Sequence, residues 1–478
     1  MKLAQRFSRL LLPALLVLVL SACQLIPSSN VAPTANPSEV EPTPTAEATQ
    51  IPPTATLTEE VETSTPEITQ PAQEIVPLNF IRGLRVTLAH PWMNEAADKF
   101  EAIITEFNTS NELGIEVIAR RAGGEIALSD ALIDGTFKDH LVLTRGFDLA
   151  GADDGNTWVN LSEAPGIEGI TPEVQTCSTC AEYLDQAHQD RYITLLYQPA
   201  LLYYNQTWAR ELGFEVPPRT LQELLEQLQA AATSKINDGD FDNNGTGGLW
   251  ASITPQSTLA WYRVFGGGFL PEDELPVFGR DPMVESFNFL KNLRGSGLSW
   301  QPLKPTAYED FVKRSALAYE GTLSDMMPQE ITFEMSQSND EWITLPYPTA
   351  DGNGSISMET ISISIASSYD RAEASSAYFV RWLLQPEQLK KLAEVTGLWP
   401  VQGNPEQLAP EFAEAHPVWA SALSPTVRLT LAPETKNWGI SRLILQDATL
   451  RLYSLDAEFI PTILDTLDAT LIEAGASQ

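Results

Sequence analysis

Few spacings in this 478-residue chain could do chemistry outright. Asp240-Phe241-Asp242-Asn243-Asn244-Gly245 puts oxygens at the first, third and fifth positions of a loop and glycine at the sixth, which is how an EF-hand calcium loop begins. Position 12 is Ala251, so the closing bidentate glutamate is absent, and the hexapeptide equally suits a polar Asx-rich turn. Asp240, Asp242 and Asn244 are the expected ligands of a structural calcium; no other cofactor is required. Cys177-Ser178-Thr179-Cys180 is expected to close a local disulfide if the compartment is oxidising. A thioredoxin-like redox centre needs a strand just before its first cysteine, and Thr171-Pro172 with the polar run to Thr176 gives none. His90, His140, His188 and His416 stand in unrelated contexts and supply no zinc spacing.

Binding groups are better represented than catalytic ones. Five tryptophans fall where the pattern reads as loop: Trp92 after a strand end, Trp250 and Trp261 flanking Thr254-Pro255-Gln256, Trp399 before Pro400, and Trp438 in Thr-Lys-Asn-Trp-Gly. A pyranose has an apolar face and a rim of hydroxyls, so a sugar site needs aromatic plates beside charged or amide groups. A stacked aromatic contact adds about 0.5–1.5 kcal/mol, and a hydrogen bond to a charged group about 1.5–3 kcal/mol. Trp92, Asn94, Arg145, Trp261, Glu359, Trp399 and Trp438 are the candidate ligand contacts, Arg145 and Glu359 standing beside expected strand ends. An extracellular glycosidase is the enzymatic alternative, but among 63 Asp and Glu residues paired carboxylates decide nothing. Gly-x-Ser-x-Gly, His-Glu-x-x-His and a phosphate loop are all absent, so no catalytic residue is assigned.

The chain opens with a segment that locates everything after it. Lys2, Arg6 and Arg9 precede the apolar run Leu10–Leu20, and Leu20-Ser21-Ala22-Cys23 closes it as a bacterial lipobox, too short to span a bilayer comfortably. Residues 1–22 read as a lipoprotein signal peptide, and Cys23 as the lipidated mature terminus that holds the protein to a membrane it does not cross. Gln24 to Leu78 carries eight Glu, no Asp, Lys, Arg or aromatic residue, and abundant Pro and Thr; such a stretch cannot bury enough apolar surface to order itself and reads as a stalk over 23–78. The net charge of −34, less the +3 of the signal and the −8 of the stalk, leaves −29 on the folded part. That argues against nucleic acid or anionic lipid as partner.

The 400 residues that follow are too many for one compact unit and suggest two lobes. Leu84, Val86 and Leu88 form a strand; Phe100, Ile103, Ile104 and Phe107 share a helix face; Ile115–Ala119 and Leu141–Leu143 are further strands with a helix over Ala127–Ile133 between them. This alternation predicts a covered parallel sheet, with Trp92, Asn94 and Arg145 near its carboxyl edge. Tyr192 to Tyr204 reads as an aromatic strand pair broken at Gln198-Pro199, a crossover. Thr220-Leu221-Gln222-Glu223 is a capping box opening a helix that buries Leu221, Leu224, Leu225 and Leu228.

The order of these features resembles the family 1 extracellular solute-binding proteins, the sugar-binding lipoproteins of ABC importers. The resemblance rests on Leu202-Tyr203-Tyr204-Asn205 through Glu223-Leu224, Gly266-Gly267-Gly268-Phe269, Asp281-Pro282 with Phe287, Leu290 and Leu293, Phe311-Val312 with Ala316–Gly321, Leu345-Pro346 to Ile365, and Ala374 to Trp399-Pro400. It implies an α/β, two-lobed periplasmic-binding-protein fold, type II and maltose-binding-like, with hinge crossovers near Pro199 and Ser362. Lobe 1 is then expected over 79–198 plus 362–402, and lobe 2 over 199–361 plus 403–478, where Ile460, Ile463, Leu464, Leu467 and Leu471 line one helix face. Many maltose-type members carry an aromatic residue just after the glycine equivalent to Gly321, whereas Thr322-Leu323 stands here, which speaks against a long maltodextrin. The implied function is extracytoplasmic capture of a carbohydrate by a monomer that delivers it to an ABC permease; a sensory or accessory binding lipoprotein is the alternative.

Overall fold

The computed structural model describes residues 78–161, 191–236, 244–269, 277–301, 304–401 and 404–476. The signal, residues 23–77 of the expected stalk with Cys23, and Cys177, Cys180, Asp240 and Asp242 lie outside the described residues, whereas Leu78 opens a short helix, Leu78–Ile81. Among the described residues no helix is long and apolar enough to cross a membrane.

The described residues form eleven strands: β1 (Arg85–His90), β2 (Glu116–Arg121), β3 (Leu141–Arg145), β4 (Tyr192–Asn205), β5 (Gly247–Trp250), β6 (Ser299–Trp300), β7 (Ala316–Thr322), β8 (Trp342–Leu345), β9 (Ser355–Ile365), β10 (Trp399–Pro400) and β11 (Arg428–Leu431). They run in the order β2-β1-β3-β9-β4-β7-β5-β6, with β10 and β8 on β4 and β11 on β9. β1 pairs in parallel with β2 and β3, as strand-helix-strand alternation requires, while β3 meets β9 antiparallel.

The expected break at Gln198-Pro199 is not there. β4 is one continuous strand of 14 residues. Its first part, through Pro199, pairs with β9; from Ala200 it pairs with β7. Proline cannot donate to a ladder, so it is tolerated at the residue where β4 leaves one sheet for the other, and the chain changes partner there without changing direction. Two sheets thus share β4: β2-β1-β3-β9-β4 and β4-β7-β5-β6.

Side-chain alternation sorts the cores. Leu141 and Leu143 of β3 face a large cluster with Val86, Phe100, Ile361 and Ile363 that continues along the second sheet through Tyr203, Tyr319 and Trp342. Tyr203 stacks on Tyr319 with centroids 4.4 Å apart. Val142 between them faces the opposite side, with Leu128, Leu149 and Trp158. On that side the second sheet presents Leu202, Tyr204, Leu249 and Ala318 to a separate cluster holding Leu224, Leu228, Trp261, Phe287, Trp438, Leu445 and the expected helical face Ile460, Ile463, Leu464, Leu467 and Leu471. The capping box at Thr220 is formed in both directions, with Glu223 N–H donating to Thr220 Oγ1 at 3.2 Å and Thr220 N–H to Glu223 Oε2 at 3.1 Å.

A candidate ligand cleft where the two sheets meet

The carboxyl ends of β1 and β3 and those of β5 and β7 all belong near the junction at which β4 changes sheets, the kind of edge where α/β proteins gather ligands. Gln198 and Glu359 are register partners across β4 and β9. Gln198 Nε2 donates to Oγ1 of Thr322, the last residue of β7, at 3.4 Å and to Ser324 Oγ just beyond it at 3.1 Å. Glu359 is buried and fully engaged: Gln256 Nε2 donates to Oε2 at 3.0 Å, and Arg442 Nη2 lies 3.2 Å from Oε1. Gln256 sits in the first turn of helix Pro255–Val264, which starts there because Thr254 caps it and Pro255 is preset for position N1.

Arg145, at the end of β3, donates from Nε to Asp148 Oδ2 at 2.8 Å and from Nη1 to Glu125 Oε2 at 3.1 Å. Burial alone would lower its pKa, but the Asp148 and Glu125 charges reverse the sign and raise it. Arg442 has the opposite balance: burial, with repulsion from Arg145, lowers it against the pull of Glu359. Both guanidinium carbons lie over the Phe147 ring, Arg145 at 4.6 Å and Arg442 at 4.5 Å from its centroid. Beside them Tyr192 Oη donates to Glu434 Oε2 at 2.9 Å, and Thr360 Oγ1 donates to Glu434 Oε1. A Cβ on Gly146 would run into both Glu434 and Thr360, so this close approach requires glycine.

One acid sits deeper. Glu320, on β7, accepts Trp261 Nε1–H at 2.6 Å and Ser252 N–H at 2.8 Å, both neutral donors. Burial pushes its pKa up to about 7, the two hydrogen bonds only partly opposing this.

The remaining candidates scatter. Trp92 is half-buried, packed edge-on against Phe100 at 4.6 Å, with Asn94 exposed two residues on at a left-handed φ of 52°. Trp261 was expected in a loop but lies inside helix Pro255–Val264, wholly buried, its N–H spent on Glu320. The Thr254-Pro255 start places it two turns into the helix, facing the core. Trp438 likewise opens helix Trp438–Ser454 rather than a loop, and is buried against Phe269 and Phe278. Trp399 is buried on β10, its Nε1–H donated to the Trp419 carbonyl at 2.9 Å. None of these three offers an open ring face here. Of the calcium candidates only Asn244 is described, and its Oδ1 accepts from Thr246 N and Oγ1, an Asx turn. Arg145 and Glu359 are therefore the sequence candidates drawn into one group, and Arg442, Gln256, Phe147, Gln198 and Glu434 join them unforeseen.

The model of the bacterial extracellular solute-binding proteins matches residues 102–417, more than half of the chain. A search among curated proteins by sequence returns no match. Among solved structures, the cyclic α-maltosyl-1,6-maltose binding protein of Arthrobacter globiformis superimposes with a TM-score of 0.64 at 17% identity, covering 81% of this chain and 99% of its own. The maltose/maltodextrin-binding domain of Bdellovibrio bacteriovorus, bound to maltotriose, gives 0.61 at 17% identity over 82% and 99%. An ABC substrate-binding protein of Listeria monocytogenes in complex with cycloalternan gives 0.61 at 15% identity over 82% and 98%. The fold is the two-lobed, maltose-binding-like periplasmic-binding-protein fold. The matching family and these neighbours are all named for binding.

Proposed function

This chain belongs to the bacterial extracellular solute-binding proteins, and we propose that it captures a carbohydrate reversibly between its lobes and delivers it to an ABC importer. Lipid on Cys23 would hold it at the membrane, with the Pro- and Thr-rich segment as spacer. What carries the sugar reading is the coincidence of two things: neighbours of this fold bind saccharides, and the sheet junction concentrates amide, hydroxyl and carboxylate groups in Gln198, Gln256, Thr322, Ser324 and Glu359. A sugar hydroxyl both donates and accepts, so it can insert into such a network and replace its internal hydrogen bonds one for one. Trp92 supplies a half-buried aromatic face at the edge of the first lobe. Closure would swing the lobes about β4, the strand that the two sheets share, and the closed form is what a permease would distinguish.

Isothermal titration against a panel of mono- and oligosaccharides tests this. Saturable binding of at least one sugar, weakened at least tenfold by Gln198→Ala, is expected. Silence across the panel from folded protein would remove the sugar assignment.

A further inference from the structure

Phe147 belongs to one lobe by chain position and to the other by packing. It lies on helix Gly146–Ala152, directly after β3 of the first sheet. Two residues on, Leu149 packs with Val142 and Trp158 in the first lobe's own cluster. Phe147, only 3% exposed, instead enters the cluster built by Leu259, Trp261, Trp438 and Leu445 against the second sheet. Its ring carries a guanidinium from each side of the boundary: Arg145 from β3, and Arg442 from helix Trp438–Ser454. The two cations are held differently. Arg145 donates from Nε, Nη1 and Nη2 to Asp148 and Glu125, both first-lobe residues. Among the described residues Arg442 has one ion pair, to Glu359, and its buried Nε has no hydrogen-bond partner. A plane of separation therefore runs between Phe147 and the Arg442 side rather than between Phe147 and Arg145.

We propose that Phe147, gripped by Arg145 and Arg442, is an interlobe clasp that sets the resting opening of the cleft, so that ligand affinity depends on it through the population of closed molecules. The inference rests on the reading of capture between lobes and deepens it. The clasp is made of protein groups alone: an apolar ring withdrawn from water and two cations on its quadrupole, a combination that strengthens when desolvated. Where only a fraction of molecules is binding-competent, apparent affinity falls by that fraction, and a clasp that favours closure removes that penalty.

The test uses the full chain with a donor–acceptor fluorophore pair, installed through unnatural amino acids, at exposed Ile118 of β2 and exposed Ile331 of helix Met326–Ser336. Without any sugar, Phe147→Ala and Arg442→Gln should each change the transfer efficiency from the wild-type value in the same direction, and Phe147→Leu, which keeps apolar bulk but removes the ring face that both guanidinium groups cover, should shift it the same way by a smaller amount. Titrated with whichever panel sugar the wild type binds, Phe147→Ala and Arg442→Gln should weaken binding at least tenfold. If Phe147→Ala does not fold, Arg442→Gln carries the test alone. Transfer efficiencies equal to wild type in the variants would overturn the clasp. A panel without binders would overturn only the sugar reading, because the sugar-free transfer measurement still decides the clasp.

Discussion

Replacing Glu320 by glutamine isolates a titration that the fold displaces by burial. The carboxylate is almost entirely withdrawn from water and accepts from two uncharged donors, Trp261 Nε1–H and Ser252 N–H. Its pKa is about 7 in the fold, against 4.5 for an ordinary glutamate. A folded-state pKa above the unfolded one means that the native state binds the proton more tightly. The stability that Glu320 contributes is then greatest below about pH 4.5, declines as pH rises to about 7, and is level beyond. The displacement corresponds to about 3 kcal/mol at roughly 1.4 kcal/mol per pH unit. For a folded body of about 400 residues that amounts to about 4 °C in Tm. Glutamine keeps the shape but turns its amide nitrogen toward one of the two donors. That cost does not vary with pH, so the slope rather than the offset is diagnostic. Thermal unfolding of wild type and Glu320→Gln between pH 4.5 and 8 should show the variant gaining about 3 kcal/mol relative to wild type as pH rises. A difference constant to within about 0.5 kcal/mol would show that Glu320 titrates normally and that the reasoning from burial is mistaken.

His90 should act in the opposite direction. Its ring is buried against Trp92 and Phe100, with Nε2 3.7 Å from Glu101, beyond hydrogen-bond reach, and burial lowers its pKa to about 4 from 6.5. Stability from this group is complete above about pH 6.5 and falls by about 3 kcal/mol as pH drops to about 4, a slope that His90→Phe should abolish in chemical denaturation. Gly146→Ala, which drives a methyl group into Glu434 and Thr360, should cost about 1–3 kcal/mol by the same assay; a neutral result would mean that the polar pocket around Glu434 is loose. Thr220→Ala removes the capping bond to Glu223 N–H and should lower stability by about 1 kcal/mol, and an unchanged denaturation midpoint would show the cap to be redundant.

What the sequence made legible follows the range over which each signal acts. The helix face Phe100–Phe107, the strands at Val86 and Leu141, and the box at Thr220 were readable because periodicity and capping are set within one or two turns. The continuity of β4 was not, since Pro199 looks like a breaker unless one knows that the strand changes partner there. The tryptophans misled for a related reason. Trp261 and Trp438 follow turn-like residues, Thr254-Pro255 and Lys436-Asn437, but those residues begin helices, and the rings turn inward. Arg442 carried a local mark that could have been used: a cation among Ile440, Leu443, Ile444 and Leu445 is costly unless it has a partner. Glu320 at the end of the apolar run Ala316–Tyr319 is marked in the same way. Their partners, Glu359 and Trp261, lie 83 and 59 residues away, which is why no local pattern names them.

Hydrogen exchange with and without a bound sugar tests capture between lobes most directly. Slowed exchange is expected at once in segments of both lobes that face the junction: 92–94 and 122–125 on one side, 251–256 and 320–324 on the other. Protection confined to the outer surface of a single lobe, at saturating sugar, would contradict it.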